Sequence, residues 1–242
     1  MKNIFLIFIT LVLASSITAQ KINTPYNYPT VPGSEKWKSF KTVDEMYKEC
    51  QIPNDILSTL TTRALLQTCL NYPVSTITLS HNTPQQGTDD WKQRFNGIAE
   101  LLMRSDAKEE LLILYTSFNT NGHLILNTST DKGAYTFRLS LIENILVQNE
   151  ILNKLNEKQK KSLLKNCLEK YNGMKSDDMY GFWSIASTGR IISKVSSELG
   201  DENLKKKIQT EPVKEYIKTG LIPDRQVLID IISEAEKINT ND

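Results

Sequence analysis

The chain has 242 residues, 39% hydrophobic and 24% charged, with a formal net charge of +1. That apolar content excludes intrinsic disorder, and ten Gly with eight Pro exclude a collagen-like or low-complexity chain. With 29 basic residues against 28 acidic ones, there is no basic excess for electrostatic nucleic-acid binding.

Lys2 precedes an apolar run from Ile4 to Ala14 interrupted only by Thr10, and Ser15, Ser16, Thr18 and Ala19 follow. A basic start, a short apolar core and a small residue before a cut are the layout of a secretory signal peptide, with cleavage after Ala19. The run is too short for a membrane anchor, which takes about 20 residues, and the mature chain holds no other candidate span. The expected organisation is a signal peptide over 1–19, an extended segment over 20–33 broken by Pro25, Pro29, Pro32 and Gly33, and one helical domain over 34–242. The destination is the periplasm or the cell exterior. Losing Lys2 with the leader takes the net charge from +1 to zero.

From Ser34 the pattern is helical. Thr42-Val43-Asp44-Glu45 is a capping box, opening a short helix with Met46 and Tyr47 inward. Pro53 suits the first turn of a second helix carrying Ile56, Leu57 and Leu60. A third covers about 62–71, with Leu65, Leu66, Cys69 and Leu70 at helical spacing. Residues 74–87 read as a loop. Thr88 then caps a helix over about 89–104 that turns Trp91, Phe95, Ile98, Leu101 and Leu102 to one side. Asp106 is placed to cap the next helix, and a second polar loop covers 119–133. A long helix over about 135–155 follows, although Tyr135, Phe137, Leu139 and Leu141 also alternate as in a hairpin strand. Asn156 and Gln159 form a second cap, for a helix ending at Asn172-Gly173. Ser176 opens a helix to Gly200 that is apolar nearly all round, with Ser184, Ser187 and Gly189 allowing close approach of neighbours. Helices near 203–209, 211–219 and 225–238 complete the chain. The expected class is all-α, either stacked helix pairs of the HEAT or armadillo kind or an irregular helical bundle. Pair starts near 43, 89, 135 and 177 lie about 46, 46 and 42 residues apart, within the 40–47 residue period of such solenoids.

Cys50-Gln51-Ile52-Pro53, Leu65 to Cys69-Leu70-Asn71-Tyr72-Pro73, Asn82, Pro84-Gln85-Gln86-Gly87, Arg94-Phe95-Asn96-Gly97 and Tyr135-Thr136-Phe137-Arg138 form a recurring pattern. The chain over about 28–200 thereby resembles an uncharacterised group of secreted bacterial helical proteins with HEAT-like stacking. The resemblance implies the fold and secretion, and carries no activity.

Candidate chemistry is sparse. Cys50, Cys69 and Cys167 are an odd set in an oxidising compartment, so at most one bridge forms. Cys50–Cys69 is the candidate disulfide, the alternative being two buried thiols, while Cys167 lies on an apolar helical face. His81 and His123 lie in different loops and lack the zincin spacing, although they and a carboxylate are conceivable zinc ligands if the fold joins them. Cys50 or Cys69 with His81 is a conceivable thiolate pair. Glycoside hydrolysis needs two carboxylates across a groove, which the sequence cannot single out. Asp177-Asp178 suits a helix first turn, and Lys158, Lys160, Lys161 and Lys165 with Lys205-Lys206-Lys207 suit solvated faces. Long loops in compact domains are often functional, so His81, Asn82, Gln85, Gln86, Trp91 and Arg94 form the candidate ligand or partner surface. These features imply a binding or scaffold module for a protein or envelope component, with no nucleic acid, metal or cofactor. The alternative is a secreted hydrolase acting on envelope polymer or host glycan.

Overall fold

A computed structural model of the chain describes residues 21–200, 202–222 and 224–240. The signal-peptide expectation falls on residues outside these. Among the described residues the fold is all-α, and no helix is long and apolar enough to cross a membrane. The one β-type pairing is an isolated bridge between Ile22 and Leu60. It docks the extended N-terminal segment, where the Ile22 amide donates to the Thr59 carbonyl at 2.8 Å and the Tyr26 amide to the Thr68 hydroxyl at 2.9 Å.

The first four helices are α1 (Glu35–Ser39), α2 (Val43–Glu49), α3 (Asn54–Thr59) and α4 (Thr62–Leu70). The capping box at Thr42 and Glu45 forms as expected. A 3-10 turn over Ser75–Ser80 leads into α5 (Pro84–Arg94), and α6 (Asn96–Met103) and α7 (Ala107–Ser117) follow. A second 3-10 turn, Gly122–Ile125, precedes α8 (Ser129–Leu146), α9 (Asn149–Leu152) and α10 (Glu157–Met174). The last four are α11 (Phe182–Leu199), α12 (Glu202–Ile208), α13 (Glu211–Thr219) and α14 (Arg225–Thr240).

Several boundaries differ from the sequence reading, each for an identifiable cause. α5 begins at Pro84 because Thr83 accepts a hydrogen bond from the Gln86 amide, while Thr88 only bonds back to the Pro84 carbonyl. The helix expected over 89–104 breaks at Phe95, whose backbone is extended. There Asn96 is drawn sideways: its Oδ1 accepts from the Ile52 amide at 3.1 Å and its Nδ2 donates to the Ile52 carbonyl at 2.7 Å. Asp106 makes no cap bond and instead accepts from the Thr62 hydroxyl at 2.7 Å. Thr128 caps α8 at Asp131, which starts the helix inside the expected loop and excludes the hairpin for the alternating aromatics. The expected 135–155 helix breaks at Val147. α10 runs through Gly173, which has no positive φ, and α11 starts at Phe182 rather than Ser176. Among the described residues only Gly33 and Gly220 adopt a positive φ, and the left-handed helix end expected at Gly173 is found instead at Gly220, which ends α13.

The core runs the length of the molecule, from Leu65, Leu66 and Phe95 through Leu111, Ile142 and Ile145 to Ile191, Tyr216 and Leu228. α11 packs against α8, α10 and α14. Gly189 lets Leu228 approach to where a Cβ would stand 2.3 Å from its Cδ1. In a regular solenoid each pair touches only its neighbours, whereas here α13 returns to pack on α5.

The residues that carry the resemblance join one layer to the next. Asn96 grips Ile52, Gln51 Nε2 donates to the Arg94 carbonyl, and Arg138 donates to Asn71 and Gln67.

Candidate functional site

Three walls enclose a groove of about 490 Å³, within the roughly 300–1,000 Å³ of ligand pockets. The first wall is the 3-10 turn and the entry to α5, contributing Thr78, Leu79, His81, Asn82, Thr83 and Pro84. Gly87 sets its position, since a Cβ there would stand 2.1 Å from the Thr78 carbonyl oxygen, and so α5 lies directly on the turn. The second wall is α8, where Phe137, Ser140 and Asn144 fall on one face at helical spacing beside Thr136. The third is the start of α11, with Trp183, Ser184 and Ser187. Trp183 is 60% exposed, an unusual setting for the largest side chain.

Among the described residues no Asp, Glu, Lys or Arg lines this groove, and His81 is its sole titratable group. His81 Nε2 lies 3.6 Å from Asp90 Oδ2, too far for a hydrogen bond. Asp90 is already engaged by the Tyr47 hydroxyl at 2.5 Å and by Arg94 Nε at 2.8 Å. A carboxylate bound in this way is not oriented to serve His81 as a catalytic partner.

The six expected surface residues separate. His81 and Asn82 line the groove, and Gln86 is exposed on the first turn of α5. Gln85 lies behind it as a joint: its Nε2 donates to Gln148 at 3.1 Å and its Oε1 accepts from Arg190 at 2.7 Å. Arg190 also donates to the Ile217 and Lys218 carbonyls at the end of α13, where a cation complements the helix dipole. Burial lowers its pKa to about 10. Trp91 is fully buried in the core and presents nothing to a ligand. Arg94 stands over the Tyr47 ring and pairs with Asp44 at 2.5 Å and Asp90. Sequence reading missed Phe137, Ser140, Asn144, Trp183, Ser184 and Ser187. The signal was there in Ser140 and Asn144, two polar positions one helical turn apart among Leu139, Leu141, Ile142 and Ile145.

Cys50 and Cys69 are free buried thiols, which corrects the candidate disulfide. Cys50 Sγ donates toward the Thr30 carbonyl at 3.9 Å. Burial pushes the Cys50 thiol up to about 11 and holds Cys69 well above its ordinary range, so neither supplies the thiolate that nucleophilic chemistry needs. Cys167 is buried in the core, as expected from its apolar face. A thiol reagent is therefore expected to label none of the three in the native protein and all three after unfolding. A mass two hydrogens short of the three-thiol form would restore the bridge.

The two histidines do not share a site. His123 is 1% exposed and its Nε2 lies 3.0 Å from Asp177 Oδ2. Its Nδ1 is 3.0 Å from the Thr120 carbonyl, and Tyr180 packs edge-on against the ring. Among the described residues no three His, Cys, Asp or Glu side chains are placed to hold a metal ion. Asp177 and Asp178 precede α11 rather than opening it, and Asp177 Oδ1 accepts from the Met179 amide. Lys160 pairs with Glu198, and Lys207 pairs with Glu234 at 2.7 Å, so these lysines hold neighbouring acids instead of facing a polyanion.

One buried ionisable cluster lies between α7, α8, α10 and α11. Glu143 Oε1 accepts from the Thr188 hydroxyl at 2.5 Å and the Tyr115 hydroxyl at 3.1 Å, and Tyr115 also bonds Cys167 Sγ at 3.3 Å. Burial outweighs these bonds and raises the Glu143 pKa to about 8, which leaves it largely protonated at neutral pH. Glu143 is 1% exposed, so this cluster is part of the core.

Set beside family models, curated proteins and solved structures, the chain matches none of them.

Proposed function

We propose that the chain is an exported helical binding module whose ligand seats in the groove between the 3-10 turn, α8 and α11. The observation that carries this reading is the groove's lining. Asn82, Ser140, Asn144 and Ser184 have side chains with no hydrogen-bond partner among the described residues, and they line the groove together with the exposed Trp183. Polar groups left unpaired beside a large exposed aromatic are what a recognition pocket offers. Export rests on the basic, apolar and small-residue sequence of the first 19 positions.

Envelope and culture-medium extracts passed over the immobilised protein test the reading, with a Ser140→Trp variant whose groove is filled run in parallel. A species retained by the wild type and lost on the variant is the expected result. Equal retention on both, or retention on neither, overturns it. N-terminal sequencing of the exported protein is expected to begin at Gln20, and a chain that retains Lys2 would refute the leader.

A further inference from the structure

The groove's chemistry narrows the class of occupant, an inference that rests on the binding reading above. We propose that the occupant is an uncharged, polyhydroxylated molecule, namely a neutral oligosaccharide stacked on Trp183.

The first argument is charge. A bound phosphate, carboxylate or ammonium loses hydration and needs a counter-charge. Among the described residues the lining holds no Asp, Glu, Lys or Arg, and its one titratable group, His81, lies 3.6 Å from Asp90, which Tyr47 and Arg94 already engage. Anionic polymers, nucleotides and cationic peptides are therefore poor occupants.

The second argument is the state of the hydroxyls. Thr78, Thr136 and Ser187 each donate their proton to a backbone carbonyl of their own turn. Facing the groove they offer lone pairs, so the occupant must bring hydrogen-bond donors. Asn82, Asn144, Ser140 and Ser184 are uncommitted and can both donate and accept. An alkyl chain or an apolar helix would leave all of these without partners, at a cost for each group desolvated. A molecule covered in hydroxyls satisfies both sets.

The third argument is the aromatic wall. Trp183 and Phe137 provide apolar surface beside the polar groups, and an aromatic face carries negative charge that attracts polarised hydrogens. A pyranose ring has C–H bonds on one face and hydroxyls around its rim, which matches an aromatic plate bordered by Ser and Asn. At about 490 Å³ the groove exceeds what a lone ion would fill.

The test is titration calorimetry on the full mature chain with maltohexaose, cellohexaose, chitohexaose and mannohexaose, alongside polygalacturonate oligomers and an apolar peptide. At least one neutral oligosaccharide is expected to bind, with affinity changing less than about twofold between about 50 mM and 200 mM salt, unlike a charge-driven complex. Trp183→Ala is expected to lower affinity at least about tenfold, and Asn144→Ala about threefold to tenfold. Thermal melts control for folding, and Trp183→Phe, which keeps an aromatic face, is expected to retain most of the affinity. If the charged oligomers or the peptide bind through Trp183 while no neutral sugar does, the sugar class is overturned and the groove reading stands. Sugar binding insensitive to both Trp183→Ala and Asn144→Ala would place the sugar elsewhere and overturn the proposal. Failure of every neutral oligosaccharide to bind also overturns it.

Discussion

Helix α8 carries two polar places one residue apart, and they behave oppositely. Asn144 lines the groove with its side chain unpaired, whereas Glu143 is buried against α7 and α11 with two hydroxyls donating to a single oxygen. On the wet face, water stands in for a missing partner at almost no cost, so polar groups can wait for a ligand. On the dry face each polar group must find its partner inside the protein. The helix is thus a partition: substitutions on one side should move stability, and substitutions on the other should move binding.

The largest expected effect is on the dry side. Glu143→Ala removes the acceptor of the Tyr115 and Thr188 hydroxyls and opens a cavity, and it is expected to cost about 3–5 kcal/mol in urea unfolding. A cost below about 1 kcal/mol would show that this cluster is wetter than its burial indicates. The second effect is its pH dependence. Glu143 has a folded pKa near 8, raised from an ordinary value of 4.5 chiefly by desolvation. The unfolded chain releases this proton first. The stability linked to it is therefore complete below about pH 4.5 and is lost as pH rises to about 8, at up to about 1.4 kcal/mol per pH unit. Glu143→Gln, which stays neutral, is expected to flatten that part of the profile. An unchanged slope would assign it to another group.

A smaller effect sharpens the boundary between the two sides. Gly87→Ala forces α5 away from the Thr78 carbonyl and is expected to cost about 1–3 kcal/mol, while also displacing the first wall and weakening ligand binding. Loss of stability with binding intact would mean that the wall does not touch the ligand. The smallest stability effect belongs to Trp183→Ala, expected within about 0.5 kcal/mol of wild type because the side chain is 60% exposed. A drop of several kcal/mol would make Trp183 a packing residue and remove the reason for placing a ligand on it.

Much of the helical framework is legible in the sequence because its signals are local. Thr42 with Glu45 and Asn156 with Gln159 form the expected capping boxes, since the free amides at a helix start lie within three residues of the side chain that serves them. Thr83-Pro84 is an equally local signal, and it starts α5 in place of the expected cap at Thr88. The break at Phe95 was not local at all, because it depends on Asn96 meeting Ile52 across 44 residues of chain. Trp91 and Trp183 make the same point for the site. Both have helical spacing and apolar neighbours in the sequence, and only packing decides that Trp91 is enclosed and Trp183 is not.

By itself the sequence determined the all-α class, the two capping boxes and much of the core stripe of the longer helices, because hydrogen bonds at helix ends and a 3.6-residue period act over a few residues. It also placed His81 and Asn82 in a segment of interest. Tertiary structure decided that α8 and α11 meet that segment to form a groove, that no Asp, Glu, Lys or Arg among the described residues lines it, and that Gln85 and Trp91 lie outside its lining. Those outcomes depend on how helices cross and which charges pair across tens of residues, and no local pattern encodes that information.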